Sequence, residues 1–501
     1  MNDTTDISAA PVLLQKWLKI KAFINRAIMS PAWCAAEFAL ACFIIFCDLE
    51  VPGAMVFAWI FIAKLILCND VLAPFLTLLL MSVFLSDCYD SAQTFLPFMW
   101  MSIPLVAALL FHVLAYKPVF RPGVNLWGGV AVAVAVTLGG LGTISHEEYF
   151  NGTSLYYVGF LGIGMLLAYI AGKSYIRVRR EYDIFRRFAG MLYAMGLLCC
   201  FSIAVFYYRD WSAFTETHTM VNFQCSNNLA TMLMIALPMP CLFASKGGRQ
   251  RWHLVAVALM YVGLVLSGSR GGLLMGTVEL FICIVYLCYA DKKLWYVYGL
   301  VGVGAFMLLF FNLNNILAFY SIENLGGFIS HDEARYGLLG RMKDDLYSNY
   351  LFGRGLGYRG NEDLYQPRAG AMNWYHMMIP QVVGSLGIVG VVAYCIQLGL
   401  RVYTVFRRPS TFKLAMGVSY AGLFLMSQVN PGEFCPVPYA IIAVLLFVMS
   451  ELRDEAACGH AEKRSGEHSG SYHGGRAPRE IRRSGSSFSG NHYNGSGNYS
   501  F

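Results

Sequence analysis

Apolar residues in this chain fall in runs of about 16 to 24, the length at which an α-helix crosses the hydrocarbon core of a bilayer. The runs cover 31–47, 54–69, 71–86, 95–115, 124–144, 155–172, 188–208, 228–245, 253–269, 271–290, 295–312, 375–399, 414–430 and 438–450. They predict an all-α polytopic membrane protein with about 12 to 14 transmembrane helices, one pair among the first three short runs being a possible re-entrant hairpin. Composition agrees: of 501 residues, 57% are hydrophobic and only 13% charged, against roughly 25% charged in a soluble domain. A soluble enzyme, a secreted disulfide scaffold and a nucleic-acid-binding domain are set aside.

Charge orients the runs, because Lys and Arg in short loops stay on the cytoplasmic side. With the N-terminus inside, the inner segments hold nearly all basic residues outside the long loop and the tail, among them Arg177, Arg179, Arg180, Arg186 and Arg187 in one stretch. The short outer loops hold Arg209 and otherwise acids: Asp48, Glu50, Asp87, Asp90, Glu147, Glu148 and Glu433. Both termini are therefore expected in the cytoplasm. The net charge of +7 reflects this topology and implies no nucleic-acid partner.

The organisation that follows is a basic amphipathic segment on the membrane surface (1–30), N-terminal spans (31–312), one large outer loop (313–374), C-terminal spans (375–450) and a tail rich in Gly, Ser, His and Arg (451–501), read as disordered. The 14 cysteines form no CxxC pair and mostly sit in apolar runs, where they act as small hydrophobes. Glu37, Glu279 and Lys64 also lie within runs, Lys64 within snorkelling range of an end. No Walker sequence, GxGxxG after a strand or HExxH is present, and no DxD-like pair stands in the first outer loops, so ATP-driven transport and sugar-nucleotide chemistry have no motif to stand on, and neither cofactor nor metal is expected.

Three features converge on the outer face. Arg270, in Ser267-Gly268-Ser269-Arg270-Gly271-Gly272, stands where two runs meet with almost no loop between them. A cation at that depth is costly unless it faces a polar cavity or an anion, and the glycines permit a tight reversal beside a helix N-terminus suited to anions. The long loop carries Arg335, Arg341, Lys343, Arg354, Arg359 and Arg368 against seven acids, Glu323, Asp332, Glu333, Asp344, Asp345, Glu362 and Asp363. His376 follows Asn373-Trp374-Tyr375 where the loop re-enters the membrane. Each has a bland reading: a snorkelling Arg, a solvated loop, an aromatic belt. Together they outline a site with a proton acceptor and several guanidinium groups.

These residues resemble the O-antigen ligase and polymerase family of bacterial surface-polysaccharide assembly. The matching pieces are Ser269-Arg270-Gly271, Gly340-Arg341, the glycine-rich Leu351-Phe352-Gly353-Arg354-Gly355-Leu356-Gly357-Tyr358, and His376 leading into Gly384-Ser385-Leu386-Gly387-Ile388-Val389-Gly390, with Asn227-Asn228-Leu229-Ala230 a weaker echo. The strong part covers about 250–450 of the chain. The family usually carries Asn directly after that His, and Met377 stands there.

The resemblance implies a GT-C-like, inverting, metal-independent glycosyltransferase in the bacterial inner membrane, acting in lipopolysaccharide and cell-envelope biosynthesis. Its donor is a glycan on undecaprenyl pyrophosphate at the outer leaflet, and its acceptor a glycan, lipid or protein hydroxyl. Arg270 and Arg341 are expected on the pyrophosphate and His376 as the base. Ser269, Arg354, Tyr358, Arg359, Trp374 and Tyr375 are expected to bind substrate, with Tyr365 a further stacking candidate. The alternatives are a flippase or exporter of lipid-linked oligosaccharide, which would show broken helices and midplane charges, and a peptidoglycan-type polymerase using Asp344 or Asp345.

Overall fold

The structure, a computed structural model, describes residues 20, 23–85, 96–141, 157–176, 183–211, 226–311, 333–355, 375, 377–430, 432–434 and 439–469. The side chains of residues 140, 141, 157, 308, 333–336 and 458–469 lie outside that description. The chain forms two compact units, Met1–Glu455 and Ala456–Phe501; in the second, residues 456–469 are helical. Most of the predicted amphipathic segment 1–30 and the tail beyond Ser469 lie outside the described residues.

No strand occurs among the described residues. Seven helices there are long and apolar enough to cross a membrane, and five further apolar helices are shorter; this is the architecture of a multi-pass membrane protein. In chain order the α-helices begin with α1 Pro31–Phe46, α2 Glu50–Leu67, α3 Leu72–Leu85, α4 Ser102–Ala115 and α5 Asn125–Leu141. A π-helical stretch Tyr157–Gly164 runs into α6 Met165–Tyr175. Next come α7 Ile184–Arg209, α8 Ser226–Ala236, α9 Pro238–Ala244, α10 His253–Leu266, α11 Arg270–Ala290 and α12 Trp295–Phe311. The last four are α13 Glu333–Ser348, α14 Met378–Phe406, α15 Thr411–Met426 and α16 Ile441–Ser469.

Local chemistry sets the ends. Ser30 caps α1 with Pro31 at its first position, Asp183 caps α7 through the N–H groups of Phe185 and Arg186, and Ser410 caps α15. In each case the side-chain oxygen takes up an N–H that the first turn leaves unpaired. Pro238 separates α8 from α9, since a proline nitrogen cannot donate within a helix.

The α8–α9 pair is the innermost: 89% of its apolar window is buried, against 11% for the helix ending at Ala115. It is packed by α7, α10, α11 and α15. α5 lies antiparallel along α14, with Gly128 against Gln397 and Gly139 against Leu386.

Charges inside the bundle are mostly paired. Lys64 does not snorkel: it is 2% exposed, forms an ion pair with Glu37, and donates to Thr77 Oγ1 (2.9 Å) and the Ala73 carbonyl (3.0 Å). Arg401, 4% exposed, pairs with Glu433 and donates to Tyr420 Oη (2.6 Å), its guanidinium lying over the Phe447 ring. Topology from charge puts Glu433 in an outer loop and Arg401 on the inner side. The chain instead folds back after α15, turning at Gly432 (φ 52°) so that Glu433 reaches the level of Arg401 and Tyr420.

The segment assigned to the tail also differs from expectation. α16 continues through residue 451, where buried Glu451 accepts from Tyr169 (2.6 Å) and from the Asn125 backbone and amide (both 2.9 Å), with Lys173 at 3.5 Å. Glu279 in α11 is fully buried against Gly422, and neither carboxyl oxygen has a hydrogen-bond partner among the described residues.

Removing one member of a buried ion pair strands the other in low dielectric, at a cost of about 3–5 kcal/mol. Lys64→Met is therefore expected to lower stability by that order in thermal unfolding of the detergent-solubilised protein. Glu37→Leu combined with Lys64→Met should recover most of the loss. A single variant as stable as the parent would mean that the pair carries no structural weight.

Candidate functional site

The centre of the site is a break in α14. Gly387 has φ 59°, a left-handed conformation inside the helix, so the helix runs as two pieces either side of it. Such a break leaves carbonyls before it and N–H groups after it without intrahelical partners. The segment following α13 supplies them. Ile388 N–H donates to the Tyr350 carbonyl (2.9 Å) and Val389 N–H to the Leu351 carbonyl (3.1 Å), while Arg354 N–H donates to the Gly384 carbonyl (2.8 Å).

Two glycines allow this approach. A Cβ on Gly387 would stand 2.6 Å from both the Gly353 nitrogen and the Leu351 oxygen, and Gly353, itself at φ 64°, abuts the Gly384 backbone. Asn349 shapes the turn by accepting from the Leu351 and Phe352 N–H groups, each at 3.2 Å.

Docking of this segment assembles polar side chains. Asp345, 3% exposed, accepts a hydrogen bond from the Tyr375 hydroxyl, and that ring lies against Gly384. Arg341 stands one helical turn before Asp345 on α13, on the same face, and Arg354 is on the docked turn. Both are half-buried. Burial pushes the Asp345 carboxyl up to about 6, against the opposing pull of Arg354 and then Arg341, with Asp344 adding to the rise. A carboxyl in that range exchanges protons near neutral pH, which is the property a general base needs.

A second cluster lies at the same end of the bundle. Ser269 caps α11, its Oγ accepting from Gly272 N–H (2.9 Å) and donating to Asn227 Oδ1 (2.5 Å). This places half-buried Arg270 at the first position of the helix. Gly271 and Gly272 let α11 close on Val429 and Ala230.

Residues 426–429 join the two clusters. Val429 and Met426 touch the Gly271 position, and the Ser427 carbonyl accepts from Met378 N–H (2.7 Å) at the start of α14. Ser427 Oγ in turn accepts from Glu433 N–H (3.1 Å), so the buried Arg401–Glu433 pair anchors the connection.

Of the residues selected from sequence, the structure thus gathers Arg341, Arg354 and Tyr375 around Asp345, and Ser269 and Arg270 around Asn227. His376, Tyr358, Arg359, Tyr365 and Trp374 lie outside the described residues. Asp345 received less weight from the sequence than the structure gives it. The signal was present: Leu338, Arg341 and Asp345 recur at three- and four-residue intervals, so an amphipathic helix would bring them to one face.

Among the described residues no group of three His, Cys, Asp or Glu could hold a metal ion. No family model, characterised protein or solved structure matches the chain.

Because Gly387 needs both its positive φ and the absence of a Cβ, Gly387→Ala should undock residues 350–354. The expected cost is about 1–3 kcal/mol. Hydrogen exchange checks this: the amides of Ile388, Val389 and Arg354 should lose protection in the variant while those of α8 keep it. Unchanged exchange at those three amides would show that the docked turn does not depend on this glycine.

Proposed function

We propose that this chain is a GT-C-like glycosyltransferase of the bacterial inner membrane, with about 12 to 14 spans, both termini cytoplasmic and residues 313–374 on the outer face. It moves a glycan from undecaprenyl pyrophosphate to an acceptor hydroxyl, as in the O-antigen ligase and polymerase family that its motifs resemble. The observation that carries this reading is the cluster of Asp345, Arg341, Arg354 and Tyr375 at the α14 break. It combines a titratable base with guanidinium groups, and it is built from the same glycine-rich segments that carry the resemblance.

The chemistry is a single inverting displacement. The acceptor oxygen attacks the anomeric carbon, the bond from that carbon to the pyrophosphate oxygen breaks, and the acceptor proton passes to a base. The departing pyrophosphate gains negative charge, which forked guanidinium groups stabilise through paired N–H donors. Arg341, Arg354 and Arg270 take that role. The base is His376 by resemblance and Asp345 by geometry; Met377, where the family usually has Asn, strengthens the case for Asp345. An Asp base would also suit a peptidoglycan-type polymerase, which is the same reaction class on a different glycan.

One observation favours a second reading, export of a lipid-linked sugar without bond formation. α14 is broken, and the pairs Arg401–Glu433 and Lys173–Glu451 lie buried within the bundle. Broken helices with internal charges are features of transporters.

Purified protein with a lipid-pyrophosphate glycan and an acceptor separates the two, because only a transferase yields a new glycosidic product in detergent. Arg341→Ala, Arg354→Ala and Arg270→Ala are expected to abolish product while unfolding at the parental temperature, and EDTA should leave the rate unchanged. Full activity in all three Arg variants would sink the pyrophosphate assignment.

A base must be deprotonated to act, so with Asp345 as base the rate rises as pH climbs through about 6. Asp345→Asn should then abolish transfer while His376→Ala retains it; the reverse pattern assigns the base to His376. In cells lacking the protein, long glycans stranded on the lipid carrier would mark a ligase, and single repeat units a polymerase.

A further inference from the structure

We propose that a polar hollow walled by α5, α6, α14 and α16 is a hydrated proton-exchange site, whose waters join two buried carboxylates, Glu433 and Glu451. Neither carboxylate takes part in the proposed glycan transfer, so the site stands or falls separately from it. The polar part of its lining is Asn125, Tyr169, Tyr394, Gln397, Arg401 and Glu433. Asn125, Tyr169, Arg401 and Glu433 are all buried.

The hollow follows from the way the chain returns after α15. Gly432 turns it inward, and a short 3-10 turn, Gly432–Phe434, carries Glu433 to Tyr420, well inside α15. Backbone that is not helical in this way survives at membrane depth only within protein or beside a water-filled cavity. On the α5 wall, Gly129 contributes no side chain. Polar groups therefore face one another across a space that apolar side chains leave open.

Size, charge and hydrogen bonding select the occupant. A volume of about 40 Å³ is open to a small molecule. That is room for about three waters at roughly 10–15 Å³ each, far below the roughly 300–1,000 Å³ of sites for larger ligands. Charge is balanced, since Arg401 pairs with Glu433 and Lys173 lies 3.5 Å from Glu451, so no added ion is needed. The Asn125 amide nitrogen donates to Thr404 Oγ1 (2.7 Å) and Glu451 (2.9 Å), but Asn125 Oδ1 is buried with no hydrogen-bond partner. A buried acceptor left in that state requires a donor. A neutral molecule of water size that both donates and accepts meets all three conditions.

The two carboxylates have matching surroundings: Glu433 has Arg401 and Tyr420, and Glu451 has Lys173 and Tyr169. Tyr394 on α14 also lines the space beside Glu433, with Asn125 and Tyr169 on its other walls. Tyr169 donates to Glu451 (2.6 Å) and accepts from Gly123 N–H (3.1 Å), which leaves its oxygen one acceptor position. A proton released by Glu433 enters a water, and each water passes one of its own onward. Tyr169 takes the last while giving its O–H proton to Glu451. Every O–H bond broken is matched by one formed, and the net change is one proton moved between carboxylates.

Radiolytic hydroxyl labelling of the full-length protein in nanodiscs tests the water, because the radicals arise from water held beside a side chain. Tyr169 (4% exposed) and Phe447 (2%) should be oxidised severalfold faster than Tyr286 (5%) and Phe188 (0%), which do not line the hollow. Val444 also lines it. Val444→Phe fills the space without removing a polar group and should bring Tyr169 and Phe447 down to the level of the other two. Equal oxidation of all four residues in the parent protein, or no fall in a Val444→Phe protein that unfolds at the parental temperature, overturns the water site. Infrared difference spectra after a jump to acid test the exchange. The carboxyl band that Glu433→Gln removes should appear in the parent and rise severalfold more slowly in Tyr169→Phe and in Val444→Phe. A band absent from the parent, or rising equally fast in all three proteins, overturns the exchange. Glycosidic product formed by a protein with a dry hollow would keep the transferase reading and remove this one, and a hydrated hollow in a protein that forms no product would do the opposite.

Discussion

A helix interrupted in an apolar setting must find partners for the backbone groups it releases, because hydrocarbon offers none. In α14 that requirement is met by residues 350–354, and most of the site follows from it. The Tyr350 and Leu351 carbonyls and the Arg354 amide bind the broken ends, which draws Arg354 onto the break and brings α13 with it. Asp345 is then buried against Tyr375, with Arg341 beside it. The polar cluster is thus a by-product of backbone satisfaction: the glycines that open the helix also select what closes it.

The internal ion pairs carry the rest of the scaffold. Arg401–Glu433 pins the segment after α15, and Ser427 in that segment ties the start of α14 to the neighbourhood of Arg270. Glu451 binds α16 to α5 and α6 through Asn125 and Tyr169. Such pairs add little net stability over apolar replacements of similar shape, but they penalise any arrangement that separates the partners. They are well suited to holding a folded-back segment and a helix end in one place.

Hydropathy located the helices because length and apolarity are properties of each run by itself; every proposed run is helical over most of its described residues. It missed what depends on two runs at once. Lys64 reads as a snorkelling cation until Glu37 is beside it, and Glu433 and Arg401 were placed on opposite sides because charge rules treat each loop separately. The break at Gly387 is invisible for a related reason. Glycine within an apolar run equally serves close helix packing, as Gly139 and Gly162 do here, so composition does not distinguish a kink from a contact. Arg270, Arg341, Arg354 and Tyr375 were legible as motif residues. Asp345 was outweighed because only a helical reading of residues 333–348 puts it on the Arg341 face.

The contacts that dock residues 350–354 onto α14 join main chain to main chain. Apart from the glycines, they place no demand on which side chains occupy either segment. Descendants of such a chain could exchange most residues along both strands of the contact and keep the same joint, so relatedness would persist in three dimensions long after it had faded from the letters.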